Sequence, residues 1–249
     1  MEVFPTRLVK QVAFEVRFPN LFFIESRIGE FQVQVMKDFP QAELVTRRNI
    51  MLLAGNPDDL QEMAKQQSGN AIEKIWQFKS GSGTRVEVSS RNLIIVAEQH
   101  YSYHEGGDKS FRSVVEKVVT NFFKIIQIPV AQRVGLRYIN ECPLFDRTTK
   151  TFKDCYNSIL PVDKLGLENL SRAECIAVAK SGEMQIQHME ALRFATPTTD
   201  ILVLDLDAST ENVATENVLV TTDGLHDVIA TEFRNVIKEP IVDFMRKGN

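Results

Sequence analysis

His100, Tyr101, Tyr103 and His104 crowd one stretch of the chain, AEQHYSYHEGGDKSFRSVV, residues 97–115. Two imidazoles four residues apart can hold one metal ion when they share a helix face. Here they follow the apolar run LIIVA and precede Gly106-Gly107, which puts them at a strand end and in a loop. Along a strand the two rings would lie about 13 Å apart, too far to chelate one ion without a bend at the tyrosines. A plainer reading accounts for more residues: a strand leaves its sheet, glycines turn the chain, and Asp108 or Ser110 caps the next helix. The same four side chains are candidates for polar contacts to a ligand or nucleic acid at a pocket rim.

Asp205 and Asp207 form a D-x-D in VLDLDAS. Strand alternation sets both carboxylates on one face, where a divalent cation carrying phosphates could be held. The competing reading is an acidic strand face paired with Arg or Lys across the sheet. Arg133 and Arg137 share a face of AQRVGLRYIN, opposite Val134, Leu136 and Tyr138. They suit either those aspartates or an anionic ligand such as RNA. Sheets that bind RNA stack bases on exposed aromatics, whereas Trp76 and Phe78 fit an inward face. Nothing assembles for nucleophilic catalysis, since there is no G-x-S-x-G elbow and Cys142, Cys155 and Cys175 lack a histidine-bearing context. SGSG is hairpin punctuation, not a phosphate cradle. His188 falls in a strand, and His226 reads as surface polarity in the first turn of the last helix. No cofactor is expected.

The elements that must position these residues follow from periodicity. VAFEVRF, 12–18, alternates as a half-buried strand. Ile24, Ile28, Phe31, Val35 and Phe39 recur at helical spacing, closed by Pro40. NPDDLQEMAKQQSG opens with Asn56 as cap, Pro57 at the first helical position and Gly69 as the stop. Strands EKIWQF, TRVEVSS and NLIIVAEQ come next, then a helix bearing Phe111, Val115, Val118 and Phe122. The second half runs AECIAVA, a KSGE turn, MQIQHMEALRF, TDILVLDLDA and a helix that Pro240 should kink or divide. Each long helix is expected to open behind an acid or hydroxyl, Asp108 or Ser110 in one and Thr222 or Asp223 in the other. The shared order fits either an old duplication or the chance recurrence of a short meander followed by a helix. The expected fold is α+β, a mainly antiparallel sheet packed by long amphipathic helices, with two related ferredoxin-like halves as the finer variant. The divisions are 1–140, a connecting segment 141–170, and a βββα half 171–249.

The chain has 249 residues, 43% hydrophobic and 25% charged, with a formal net charge of −4, so it is no general nucleic-acid magnet. Three scattered cysteines argue against a disulfide framework and for a reducing compartment, hence a cytoplasmic protein. No run is long and apolar enough to span a membrane.

Two stretches carry a likeness: RVGLRYIN, 133–140, and LHDVIATEFRNVIKEPIVDFM, 225–245. With Val12–Phe18 and Asp200–Asp207, they make the chain resemble a widely but sporadically distributed prokaryotic family of conserved hypothetical proteins. That resemblance brings no activity or catalytic residue, and implies an accessory role in defence or mobile-element systems. The leading expectation is a non-catalytic cytoplasmic interaction subunit that docks a protein partner, with homo-oligomers allowed. RNA or nucleotide binding through the sheet face is the runner-up, and a metal-dependent phosphohydrolase the third.

Overall fold

The computed structural model describes residues 4–48, 72–98, 102–194 and 200–247. Among these residues nine strands form one open, fully antiparallel sheet, and helices lie over one of its faces: an α+β fold. The strands are β1 Val9–Arg17, β2 Gln41–Arg48, β3 Ile72–Lys79, β4 Thr84–Val88, β5 Asn92–Ala97, β6 Val130–Pro143, β7 Ala173–Ser181, β8 Met184–Phe194 and β9 Asp200–Ala214. The helices are α1 Ile24–Val35, α2 Phe111–Ile125, α3 Thr149–Cys155, α4 Val162–Leu165, α5 Val218–Val236 and α6 Glu239–Lys247.

Strand order is β2-β3-β4-β5-β1-β6-β9-β8-β7. The seam between β1 and β6 aligns Val12 with Tyr138, Phe14 with Leu136 and Val16 with Val134. Outward from that seam, β5, β4 and β3 on one side answer β9, β8 and β7 on the other, and α2 answers α5. The halves share one sheet and one hydrophobic cluster. Residues 141–170 do more than connect, since they hold α3 and α4 and bury Phe152, Tyr156, Leu160 and Leu167 in that cluster.

The core forms because alternation on each strand meets the apolar stripe of each helix. On β1, Val12, Phe14 and Val16 are fully buried while their neighbours are not. Helix α2 buries Phe111, Val115, Val118, Val119 and Phe122, one face of a 3.6-residue period. Its start is fixed by Ser110, whose hydroxyl accepts from the Ser113 N–H at 3.2 Å. Phe122 stacks on Phe18 at 5.5 Å and meets Phe31 edge-on at 5.6 Å, and Phe31 meets Phe78 in the same way.

Several expectations need correcting. Helix α1 stops at Val35, and Phe39 is buried from the turn beyond it, so the apolar period outlasts the helix. The edge strand β2, QAELVTRR, has charges at three of its positions, which hides its alternation. Helix α5 begins at Val218 behind Asn217, because β9 runs on to Ala214. Thr222 and Asp223 therefore lie inside the helix, the former donating to the Val218 carbonyl at 2.7 Å. Pro240 divides as expected: α5 ends at Val236, and the proline is the second residue of α6, where no intrahelical N–H is required. The helix expected over Asn56–Gly69 lies outside the described residues.

Candidate functional site

The face of the sheet away from the helices carries a ladder of ion pairs. Arg133 donates to Glu15 on β1 at 2.6 Å and to Asp207 on β9 at 2.9 Å, bridging three strands. Arg137 holds Asp205 with two guanidinium hydrogen bonds, and Arg17 pairs with Glu15 at 2.9 Å. Gly135 makes this possible, for a Cβ there would stand 2.2 Å from the Arg133 Nη1; the guanidinium lies flat over the bare backbone. Hydrogen bonding to Asp205, set against partial burial, raises the Arg137 pKa; burial, opposed by Arg133, raises that of Asp207.

Three guanidiniums thus meet three carboxylates, and neither sign is left in excess for phosphates. The same pairing occupies Asp205 and Asp207, so the metal reading of the D-x-D gives way to the cross-strand one. Among the described residues no group of three or more His, Cys, Asp or Glu is placed to hold a metal ion. Asp205 is only 2% exposed, and Arg137 bonds both of its carboxylate oxygens. Arg137→Ala should destabilise the fold by about 1–3 kcal/mol, less than a fully buried pair because Arg137 is half exposed. Urea unfolding of the variant beside Arg137→Ala/Asp205→Ala, which should recover part of the loss, checks this.

On the helix side the histidine-tyrosine stretch does come to a site, through a partner the sequence reading missed. Tyr103 is buried, and its hydroxyl donates to Asp223 on α5 at 2.8 Å. Arg112, in the first turn of α2, donates to the same carboxylate at 2.6 Å. So pinned, the Tyr103 ring stacks on the His226 imidazole at 4.0 Å and 8° between planes. His104 is exposed and stands edge-on to His226 at 5.4 Å, with Tyr138 of β6 on the sheet side at 6.1 Å. His100 and Tyr101 lie outside the described residues.

His226 is 6% exposed, not surface polarity. Two residue types misled: Thr222 and Asp223 mimic a helix start, which would leave His226 in a solvated first turn. A hint of the truth lay in the spacing, since His226 falls three residues before Ile229 and one after Leu225, on the buried stripe of the helix. Its Nδ1 is buried, 3.7 Å from the Asp227 carboxylate and beyond hydrogen-bonding distance. Burial, reinforced by His104, pushes its pKa down to about 4, so the ring is neutral near pH 7.

These rings form the polar wall of a cavity of about 900 Å³. The opposite walls are apolar: Phe4 and Leu8 ahead of β1, Ile229 and Phe233 on α5, and Val242 and Met245 on α6. Asn140 lines the sheet side, buried, and donates to the Leu204 carbonyl at 3.1 Å.

A second buried polar cluster lies between β8 and α5. His188 Nδ1 is 2.7 Å from Glu232, and Nε2 is 2.9 Å from Glu190, a carboxylate with no exposed surface. Glu190 also accepts from the Ser158 hydroxyl and the Ile159 N–H. The serine faces the acid and not the imidazole, so the order needed for a nucleophile is absent here.

Together these features define an α+β protein with an open antiparallel sheet and a helix-walled chamber. No family model, curated protein or solved structure matches the chain. Among the described residues no helix is long and apolar enough to cross a membrane.

Proposed function

We propose that this protein works by binding, and that its ligand is a small, largely apolar molecule with one polar head, held in the chamber between β6, α5 and α6. The observation that carries the reading is a largely apolar cavity of about 900 Å³ with the neutral, buried His226 in its wall. A volume of this size takes a drug-sized molecule, and apolar walls with a few convergent polar groups are how such sites are built. A neutral imidazole can hydrogen-bond a head group without attracting water as an imidazolium would. The reading keeps the expectation of a non-catalytic role and gives it a chamber. The RNA alternative is weakened by the carboxylates already on Arg133 and Arg137.

The probe is anilinonaphthalene sulfonate, an apolar ring system with one anionic group. Saturable fluorescence enhancement at one site per chain is expected. Ala230→Trp, which fills the chamber from α5, should weaken that binding at least tenfold while leaving the circular dichroism unchanged. Enhancement that never saturates, or that ignores the tryptophan, would refute the assignment.

A further inference from the structure

Strand β7 ends the sheet: β8 lies on one side of it and, among the described residues, no strand on the other. An edge strand offers a row of backbone N–H and C=O groups to any second strand, and charges along the edge are the usual protection. The five central residues of β7, Cys175 to Ala179, carry no charge. Ile176 and Val178 point away from the helix side and are 57% and 56% exposed. The charges that β7 does carry are Glu174 and Lys180, on that same face and three residues either side of Ala177.

That arrangement is self-complementary. If β7 meets a second β7 antiparallel about a two-fold axis at Ala177, Glu174 stands opposite Lys180 and Ile176 opposite Val178, each pair occurring twice. Directly opposed residues of antiparallel strands are close enough for both ion pairs and β-branched contacts to contribute. Both charges are available: Lys180 makes no ion pair among the described residues, and Glu174 meets only the well-exposed Arg172, at 3.5 Å. The other edge differs, for on β2 Glu43 is already engaged by Lys79 of β3. The same face of β8 places Met189 beside Ile176, so the contact has an apolar centre between two charged ends. A symmetric contact of this kind closes at two copies.

We propose that the occupant of this edge is a second copy of the chain, and that the protein forms a two-fold dimer through β7 with Ala177 opposite Ala177. The two sheets then run on as one.

Sedimentation velocity over a dilution series tests it, because β7 is exposed and its variants should fold as the parent does. The parent should shift from monomer to dimer as concentration rises. Glu174→Lys and Lys180→Glu each set like charges across the axis twice, and each should weaken association at least tenfold. The double variant Glu174→Lys/Lys180→Glu restores opposite pairs and should return the dimer. Val178→Lys, which places a charge in the apolar centre, should leave monomer throughout. A parent that stays monomeric at every concentration overturns the proposal. So does a dimer that ignores the single reversals, or one that the double variant fails to restore.

Discussion

Replacing His188 with leucine is expected to cost about 3–5 kcal/mol of stability, a large share of the roughly 5–15 kcal/mol that holds a domain together. The reason is Glu190, which has no exposed surface and would lose the ring nitrogen that it faces at 2.9 Å. Each ring nitrogen of His188 faces a carboxylate oxygen, an arrangement that favours the doubly protonated ring. Burial lowers the His188 pKa, but the hydrogen bonds and charges of Glu190 and Glu232 outweigh it and the net shift is upward. A raised histidine value fixes the sign of the pH dependence. The stabilisation is complete below the ordinary histidine range near pH 6.5, and it fades as pH climbs through the higher folded value. Urea midpoints should accordingly fall on the alkaline side for the parent, and His188→Leu should lack that component. His188→Leu/Glu190→Leu, which removes the buried carboxyl as well, should regain most of the loss. A single variant as stable as the parent would show that Glu190 does not depend on the imidazole.

Phe122→Ala should cost about 3–5 kcal/mol as well, by a different route. The ring has no exposed surface and touches Phe18, Phe31 and Phe123, so it joins α1, α2 and the residue after β1 in one aromatic cluster. Truncation leaves a void bordered by three other rings held on separate elements, which limits how far the site can collapse. For a chain of this size the melting temperature should drop by about 6–20 °C. Scanning calorimetry checks it, and Phe122→Leu, which keeps much of the volume, should lose clearly less. Unlike the histidine variant, this one should show the same loss at pH 6 and pH 9.

Much of the fold was legible because local pattern and burial agree. In β1 the alternation of Val12, Phe14 and Val16 is uninterrupted, and in α2 the cap Ser110 adjoins a clean apolar stripe. The opposition of Arg133 and Arg137 to Asp205 and Asp207 could be read because strand alternation fixes a face even when it does not say which strand lies next. Legibility failed where two signals compete. In β9 the polar run Ser209 to Asn212 looks like a loop, yet it continues the strand; once the strand was cut short, the start of α5 was misplaced and His226 went with it. The stacking of Tyr103 on His226 joins residues 123 apart in the chain (226 less 103), and no period within either segment encodes it. Asp223 looked like a cap because aspartate usually is one, while its use by Tyr103 and Arg112 is a property of the assembled layers.

One backbone hydrogen bond says something about how the molecule is made. The Thr6 N–H donates to the Met245 carbonyl at 3.0 Å, and both residues border the cavity. On the ribosome, Phe4 and Leu8 emerge well ahead of α6 and must wait while nearly 240 more residues are added. At ordinary elongation speeds of about 5–20 residues per second that delay is roughly 12–48 s. Until it has passed, the nascent polypeptide exposes these early side chains without the α6 surface they rest on, and has no finished compartment to fill.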